Sequence, residues 1–160
     1  MTDTIPYFED ERSKPLPGLP IVERETINAV LYDPKTNRIL CLDWPKFEWH
    51  TFIIGGIENG EDPVECAERE ILEETGYKNI KLLASLGKTR AGYYAAHKKE
   101  NRISTADCLL FELVDEERAS TKESETANHT IKWVSRDEVS AFIDLKSQSY
   151  LWEMAMKKIG

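Results

Sequence analysis

Glu61, Arg69, Glu70, Glu73 and Glu74 stand downstream of a Gly55-Gly56 pair at spacings that could do chemistry. Reading from Gly55, five residues lead to Glu61 and seven more to Arg69-Glu70; Ile71, Leu72, Glu73-Glu74, Thr75, Gly76 and Tyr77 follow. On a helix Glu70 lies one turn before Glu73 and Glu74, so the three carboxylates project from adjoining parts of one face. Clustered carboxylates repel each other, and a hard divalent cation is the usual relief. Arg69 can reach back toward Glu61 or across to Glu73. An isolated E-x-x-E-E is usually only a solvated, salt-bridged face. The glycine pair and the arginine at fixed offsets turn this one into a candidate metal site.

Local structure must hold these groups in place. Thr51 to Ile54 reads as a short buried strand running into a Gly55-Gly56 turn. Asp62 suits an N-cap, Pro63 the first helical position, and Glu65 completes an Asp-x-x-Glu capping box. Val64, Ala67 and Ile71 give that helix an apolar stripe, and Gly76 ends it in a left-handed position. The unit is strand, loop, helix, stop.

Upstream, residues 1–20 hold four of the seven prolines and read as an irregular N-terminal arm, with the domain running over 21–160. Val22 to Tyr32 and Arg38 to Asp43 are two apolar runs joined by turn chemistry at residues 33–37, which predicts a hairpin. Trp44 to Trp49 (WPKFEW) is an aromatic loop that either packs in the core or, through Trp49, offers a platform for a base. Downstream, Ile80 to Leu86 and Thr89 to Ala95 read as strands. His97, Lys98, Lys99 and Arg102 then form the densest basic spot. Ile103 to Leu113 is a long strand, followed by a charged loop from Asp115 to Thr126 containing Glu123 and Glu125. Thr130 to Val134 is a strand, Ser135 with Glu138 a capping box for a helix through Phe142. Ser147 or Ser149 would cap a last helix whose Leu151, Met154 and Ala155 form a stripe. Strands around a central helix, with terminal helices, predict an α/β fold with a mixed sheet between helical layers.

The chain has 160 residues, enough for one domain with a buried core, and a net charge of −8, which argues against non-specific binding to nucleic acid or anionic membrane. A phosphate-bearing ligand would need bound metal and a few local cations. Cys41, Cys66 and Cys108 stand singly in apolar contexts without C-x-x-C spacing, the pattern of small core residues in a reducing cytoplasm. No apolar run reaches membrane-spanning length.

The stretch from Gly55 to Tyr77 matches G-x5-E-x7-R-E-U-x-E-E-x-G-U, U being bulky and apolar, at every defined position, and is identified as a Nudix box. The resemblance runs from about Val22 to about Phe142 and includes WVSRDEV (Trp133 to Val139). It implies an α/β/α sandwich and hydrolysis of nucleoside diphosphates linked to another group by water attack on phosphorus, with Mg²⁺ or Mn²⁺. Carried onto this chain, Glu73 and Glu74 would be principal metal ligands, with the Gly55 carbonyl adding one. Glu70 would be a further ligand or the base, and Arg69 and Glu61 would orient the cluster. Glu125, with Glu123, is the reserve base. Ile54 stands where many members have proline. TFIIGGIENGE, YYAAHKKENR and ADCLLFEL resemble Nudix modules carried within some class I aminoacyl-tRNA synthetases.

The expected partner is a small nucleotide diphosphate derivative. His97, Lys98, Lys99 and Arg102 would offset its charge, and Trp49 and Tyr94 are the next candidates for its pocket. The pair Tyr93-Tyr94 falls where diadenosine-polyphosphate hydrolases of the family tend to have a tyrosine. A homodimer is left open. The rival reading is a ligand-sensing or accessory module, for example in tRNA aminoacylation, that binds a nucleotide without turnover. Complete retention of the box carboxylates favours the enzyme.

Overall fold

The computed structural model describes residues 4–122 and 128–160, which build a mixed eight-stranded sheet with helices on both faces. The strands are β1 (Tyr7–Glu9), β2 (Ile21–Asp33), β3 (Arg38–Trp44), β4 (Trp49–Thr51), β5 (Ile53–Gly56), β6 (Ile80–Ala95), β7 (Glu100–Leu113) and β8 (Thr130–Ser135). The helices are α1 (Pro63–Thr75), α2 (Val139–Phe142) and α3 (Lys146–Ile159). The sheet runs β1-β6-β7-β2-β3-β4, with β5 paired to β2 and β8 to β3. β1 lies parallel to β6 and β2 parallel to β7, while β6 and β7 are antiparallel.

Period-two alternation along β2 supplies two cores. Ile27, Ala29 and Leu31 meet Leu109, Phe111 and Leu113 under Cys66, Ala67 and Ile71 of α1. On the other face Val30, Cys108 and Leu110 pack against Leu151, Trp152 and Ala155 of α3. The α/β/α layering expected from the box is therefore present. The hairpin of β2 and β3 also forms, with Asp33 opposite Arg38.

α1 starts and stops where its sequence says. Asp62 Oδ2 accepts from the Val64 and Glu65 amides at 3.0 and 3.4 Å, and Gly76 closes the helix at φ 83° with its amide on Leu72 O. A Cβ at Gly76 would also lie 2.5 Å from Ala119 O, so the stop needs glycine twice over.

Elsewhere the structure corrects the reading. Thr51 to Ile54 is not one strand: β4 pairs with β3 and β5 with β2, so the chain changes partner at Phe52. Gly55 and Gly56 lie within β5 rather than in a turn. Residues 80–95 are a single strand, because Gly87, at φ 89°, is absorbed as one of two register shifts against β7. Ser135 makes no capping bond, and a 3-10 turn (Arg136–Glu138) precedes α2. α3 begins at Lys146, earlier than either serine, with no side-chain cap. The proline-rich arm is only partly irregular, since it contributes β1 and a 3-10 turn over Glu11–Ser13.

Candidate active site

The carboxylates of α1 are brought to β5 because the strand carries no side chain there. A Cβ at Gly55 would collide with Cγ and Cδ of Glu70. Arg69 is the hub of the cluster. Its Nε and Nη2 grip both oxygens of Glu61 at 2.7 and 3.0 Å, and its Nη1 donates to Glu70 and Glu73 at 3.0 Å each. Nη2 also reaches Gly56 O at 3.2 Å, which ties the helix to the glycine strand. Glu61 additionally accepts from the Glu58 amide at 3.0 Å. With those donors its carboxyl is lowered to about 2.

Glu70 has the opposite environment. Burial pushes its carboxyl up to about 7; Arg69 opposes the rise, while Glu74 and Glu73 add to it. Its side chain is 12% exposed. Glu74 turns inward to His129, whose Nε2 lies 2.6 Å from Glu74 Oε2 with the imidazole 1% exposed. The two atoms lack hydrogen-bond alignment, and neither has another partner among the described residues.

On the opposite face of the sheet lies a cavity of about 130 Å³ between β1, β6, β7, β2 and the start of α3. Its lining includes Phe8, Asp10, Asn28, Trp49, Ile54 and Tyr93. Trp49 stacks on Phe47 at 5.0 Å and meets Tyr93 edge-on at 6.4 Å. Ile54 borders the cavity while its neighbour Gly55 faces Glu70, so the two regions are joined across β5. Arg24 projects from β2 so that its Nη2 would lie 2.9 Å from a Cβ on Gly56, and no described side chain pairs with it.

The family model described as NUDIX domain matches residues 22–153, a span that contains the cluster gathered at Gly55. The chain belongs to the Nudix family. Among solved Nudix structures, the dihydroneopterin triphosphate pyrophosphohydrolase of E. coli has TM-score 0.64 at 18% identity, over 86% of this chain and 98% of that one. An Ap4A hydrolase of C. elegans has TM-score 0.62 at 17% identity, over 87% of this chain and 100% of its own. At these identities the likeness is one of fold. RNA pyrophosphohydrolases of Mesorhizobium japonicum and Rhizobium meliloti are 57% and 60% identical over 30 residues. That stretch is 19% of this chain and only 17% and 18% of theirs.

The Nudix helix fits a divalent ion by donor type and charge. Its donors are all oxygens, and Glu70, Glu73 and Glu74 bring three carboxylates to one stretch of the helix, with Glu74 Oε2 buried against His129 Nε2 at 2.6 Å. No three of the described His, Cys, Asp and Glu side chains converge as a ready coordination shell, because Arg69 holds Glu61, Glu70 and Glu73. Loading an ion therefore requires carboxylate rotation.

The other expected site residues separate. Trp49 lines the cavity, but strand alternation turns Tyr94 to the opposite face and leaves Tyr93 there instead. His97, Lys98 and Lys99 form the exposed turn between β6 and β7. Asn101, where that hairpin begins, lies about 20 Å along β7 from Asp107, which shares a rung with Ile27 and Gly55. Arg102 is bound to Glu100 at 2.9 Å, opposite Tyr93 at the far end of the cavity. Glu123 and Glu125 lie outside the described residues. Arg24 and His129 were missed: they come from a strand and a loop far from the box, and no spacing signals their approach, whereas of the Tyr93-Tyr94 pair the cavity takes Tyr93 rather than the expected Tyr94.

Proposed function

We propose that the protein hydrolyses a phosphoric anhydride in a nucleoside diphosphate linked to another group, using Mg²⁺ or Mn²⁺ held by Glu73, Glu74 and Glu70. The observation that supports this most is the gathering of Glu61, Glu70 and Glu73 around Arg69 at 2.7 to 3.0 Å, with the Glu70 carboxylate seated against side-chain-free Gly55. Glu70 takes a proton from the attacking water, Arg69 and Glu61 fix the helix against β5, and side-chain-free Gly55 leaves the space in which the Glu70 carboxylate sits. A bound divalent ion supplies positive charge against the phosphates and acidifies water.

The rest of the substrate is assigned to the cavity on the other side of β5. Trp49 and Tyr93 give aromatic surface for a base, and Arg24, over Gly56, offers the local cation that a net charge of −8 makes necessary. β5 pairs only with β2 among the described strands.

The test is a turnover screen over nucleotide sugars, dinucleoside polyphosphates, ADP-ribose and nucleoside triphosphates, with Mg²⁺ or with EDTA. Ion-dependent release of a mononucleotide or phosphate product is expected, with loss in Glu70→Gln. Tight nucleotide binding without turnover of any substrate would replace this reading by an accessory module.

A further inference from the structure

The family match begins at residue 22, yet residues outside it, Phe8, Glu9, Asp10 and Ser13, form part of the cavity wall. The geometry points to this N-terminal segment as the specificity wall for the substrate's base, with Asp10 accepting from an N–H edge of a purine. The inference rests on the functional reading above and adds the base class and the residue that selects it.

The segment is built into the domain at four places. β1 pairs in parallel with β6, setting Phe8 opposite Ala91 and Glu9 opposite Gly92. The Phe8 ring packs on Tyr150 of α3 at 5.5 Å. Arg12 donates to Glu48 O at 2.9 Å and faces Asp144 at 3.4 Å, so it joins the loop carrying Trp49 to the start of α3. Asn101, 4% exposed, exchanges two hydrogen bonds with the Leu16 backbone at 2.9 and 2.6 Å. A segment pinned this way makes a fixed wall.

The register places Asp10 at the functional end of that wall. Phe8 shares a face with Ala91, which lines the cavity, and Asp10 follows two residues later, level with Tyr93 and beside the Trp49 loop. Its carboxylate is 16% exposed. Oδ1 accepts from Arg12 N at 3.0 Å and Arg12 Nε at 3.2 Å, while no described donor engages Oδ2. A half-satisfied carboxylate beside aromatic rings is an acceptor for N–H, which adenine and guanine present and an unsubstituted purine lacks. The span also suits a nucleotide. Tyr93 lies five residues along β6 from Lys88, on the Gly55 rung, a reach of about 17 Å that an extended nucleotide with its phosphate chain can cover.

Calorimetry with AMP, GMP and purine riboside 5′-monophosphate, on the full chain, tests the inference. The parent should bind AMP or GMP about 10-fold more tightly than purine riboside monophosphate, since a site built to accept an N–H rejects the analogue without one. Asp10→Asn, which keeps an oxygen to cap the Arg12 amide, and Asp10→Ala should both shrink that ratio toward one. Melting curves establish that each variant is folded. Parental discrimination in the folded variants, or none in the parent, overturns the role of Asp10. If that happens while ion-dependent turnover persists, the functional reading stands without it. If neither binding nor turnover of any nucleotide is found, both fall.

Discussion

At the scale of single residues the site is a set of carboxylates kept apart in charge state by burial and by one arginine. Glu73→Gln and Glu74→Gln preserve size but remove ligand charge. Each should weaken Mg²⁺ or Mn²⁺ binding by an order of magnitude or more, read by calorimetry, while Glu73→Gln also loses its 3.0 Å ion pair with Arg69 and should cost metal-free stability at most about 1 kcal/mol. Glu70 makes stability depend on pH in the metal-free protein. Its carboxyl sits at about 7 in the fold against an ordinary 4.5, so between these values the native state holds a proton that the unfolded chain has lost. The stabilising contribution is thus complete below 4.5 and disappears as pH rises through 7, a change on the order of 3 kcal/mol. Urea titrations in EDTA at pH 5 and pH 8 should show that fall, and Glu70→Gln should flatten it. Glu61 acts in a different window, with its contribution present above 4.5 and lost as pH falls toward 2. The box residues were legible because their spacing is fixed by one helix. His129 was not, because only the return of β8 to β3 brings it beside Glu74.

Elements decide how accurately those residues are placed. Asp62→Ala removes the two amide acceptances at the start of α1 and should cost about 0.5–2 kcal/mol in thermal or urea unfolding, with activity largely kept in the folded fraction. Gly55→Ala should act in the reverse way. The added methyl collides with the Glu70 side chain rather than with backbone, so stability falls by only about 1–3 kcal/mol while the carboxylate is pushed off its position and turnover drops steeply. A Gly55→Ala protein with parental turnover would show that Glu70 need not touch β5. The contrast also shows what local sequence can reveal. Cap, stripe and stop of α1 involve neighbours in the chain and were readable. The break at Phe52, the bulge at Gly87 and the placement of β1 depend on which distant strand is available to pair, and a linear pattern does not carry that information.

For the whole molecule, the proposed substrate path runs from the α1 carboxylates over Gly55-Gly56, past Arg24, into the cavity and toward the β6–β7 hairpin. With a net charge of −8 the protein depends on local cations, so Arg24→Gln should raise KM about 10-fold for diphosphate substrates, with the penalty shrinking in salt. Joint neutralisation of Lys98, Lys99 and Arg102 should raise KM most for substrates long enough to pass Tyr93. The layered fold could be read from the order of strands around a central helix with terminal helices, while the two core faces emerge only once β2 pairs with β7. The cavity could not, since its wall is assembled from the arm, five further strands and the first turn of α3. The central claim is that water attacks phosphorus at the carboxylate cluster with the help of a divalent ion. Turnover of the best nucleotide in ¹⁸O-labelled water, followed by mass spectrometry of the products, tests it most directly. The account predicts one ¹⁸O per turnover in a phosphate group of a product, only with Mg²⁺ or Mn²⁺ present and abolished in Glu74→Gln. Label incorporation that persists in EDTA, or is unchanged in Glu74→Gln, would contradict it.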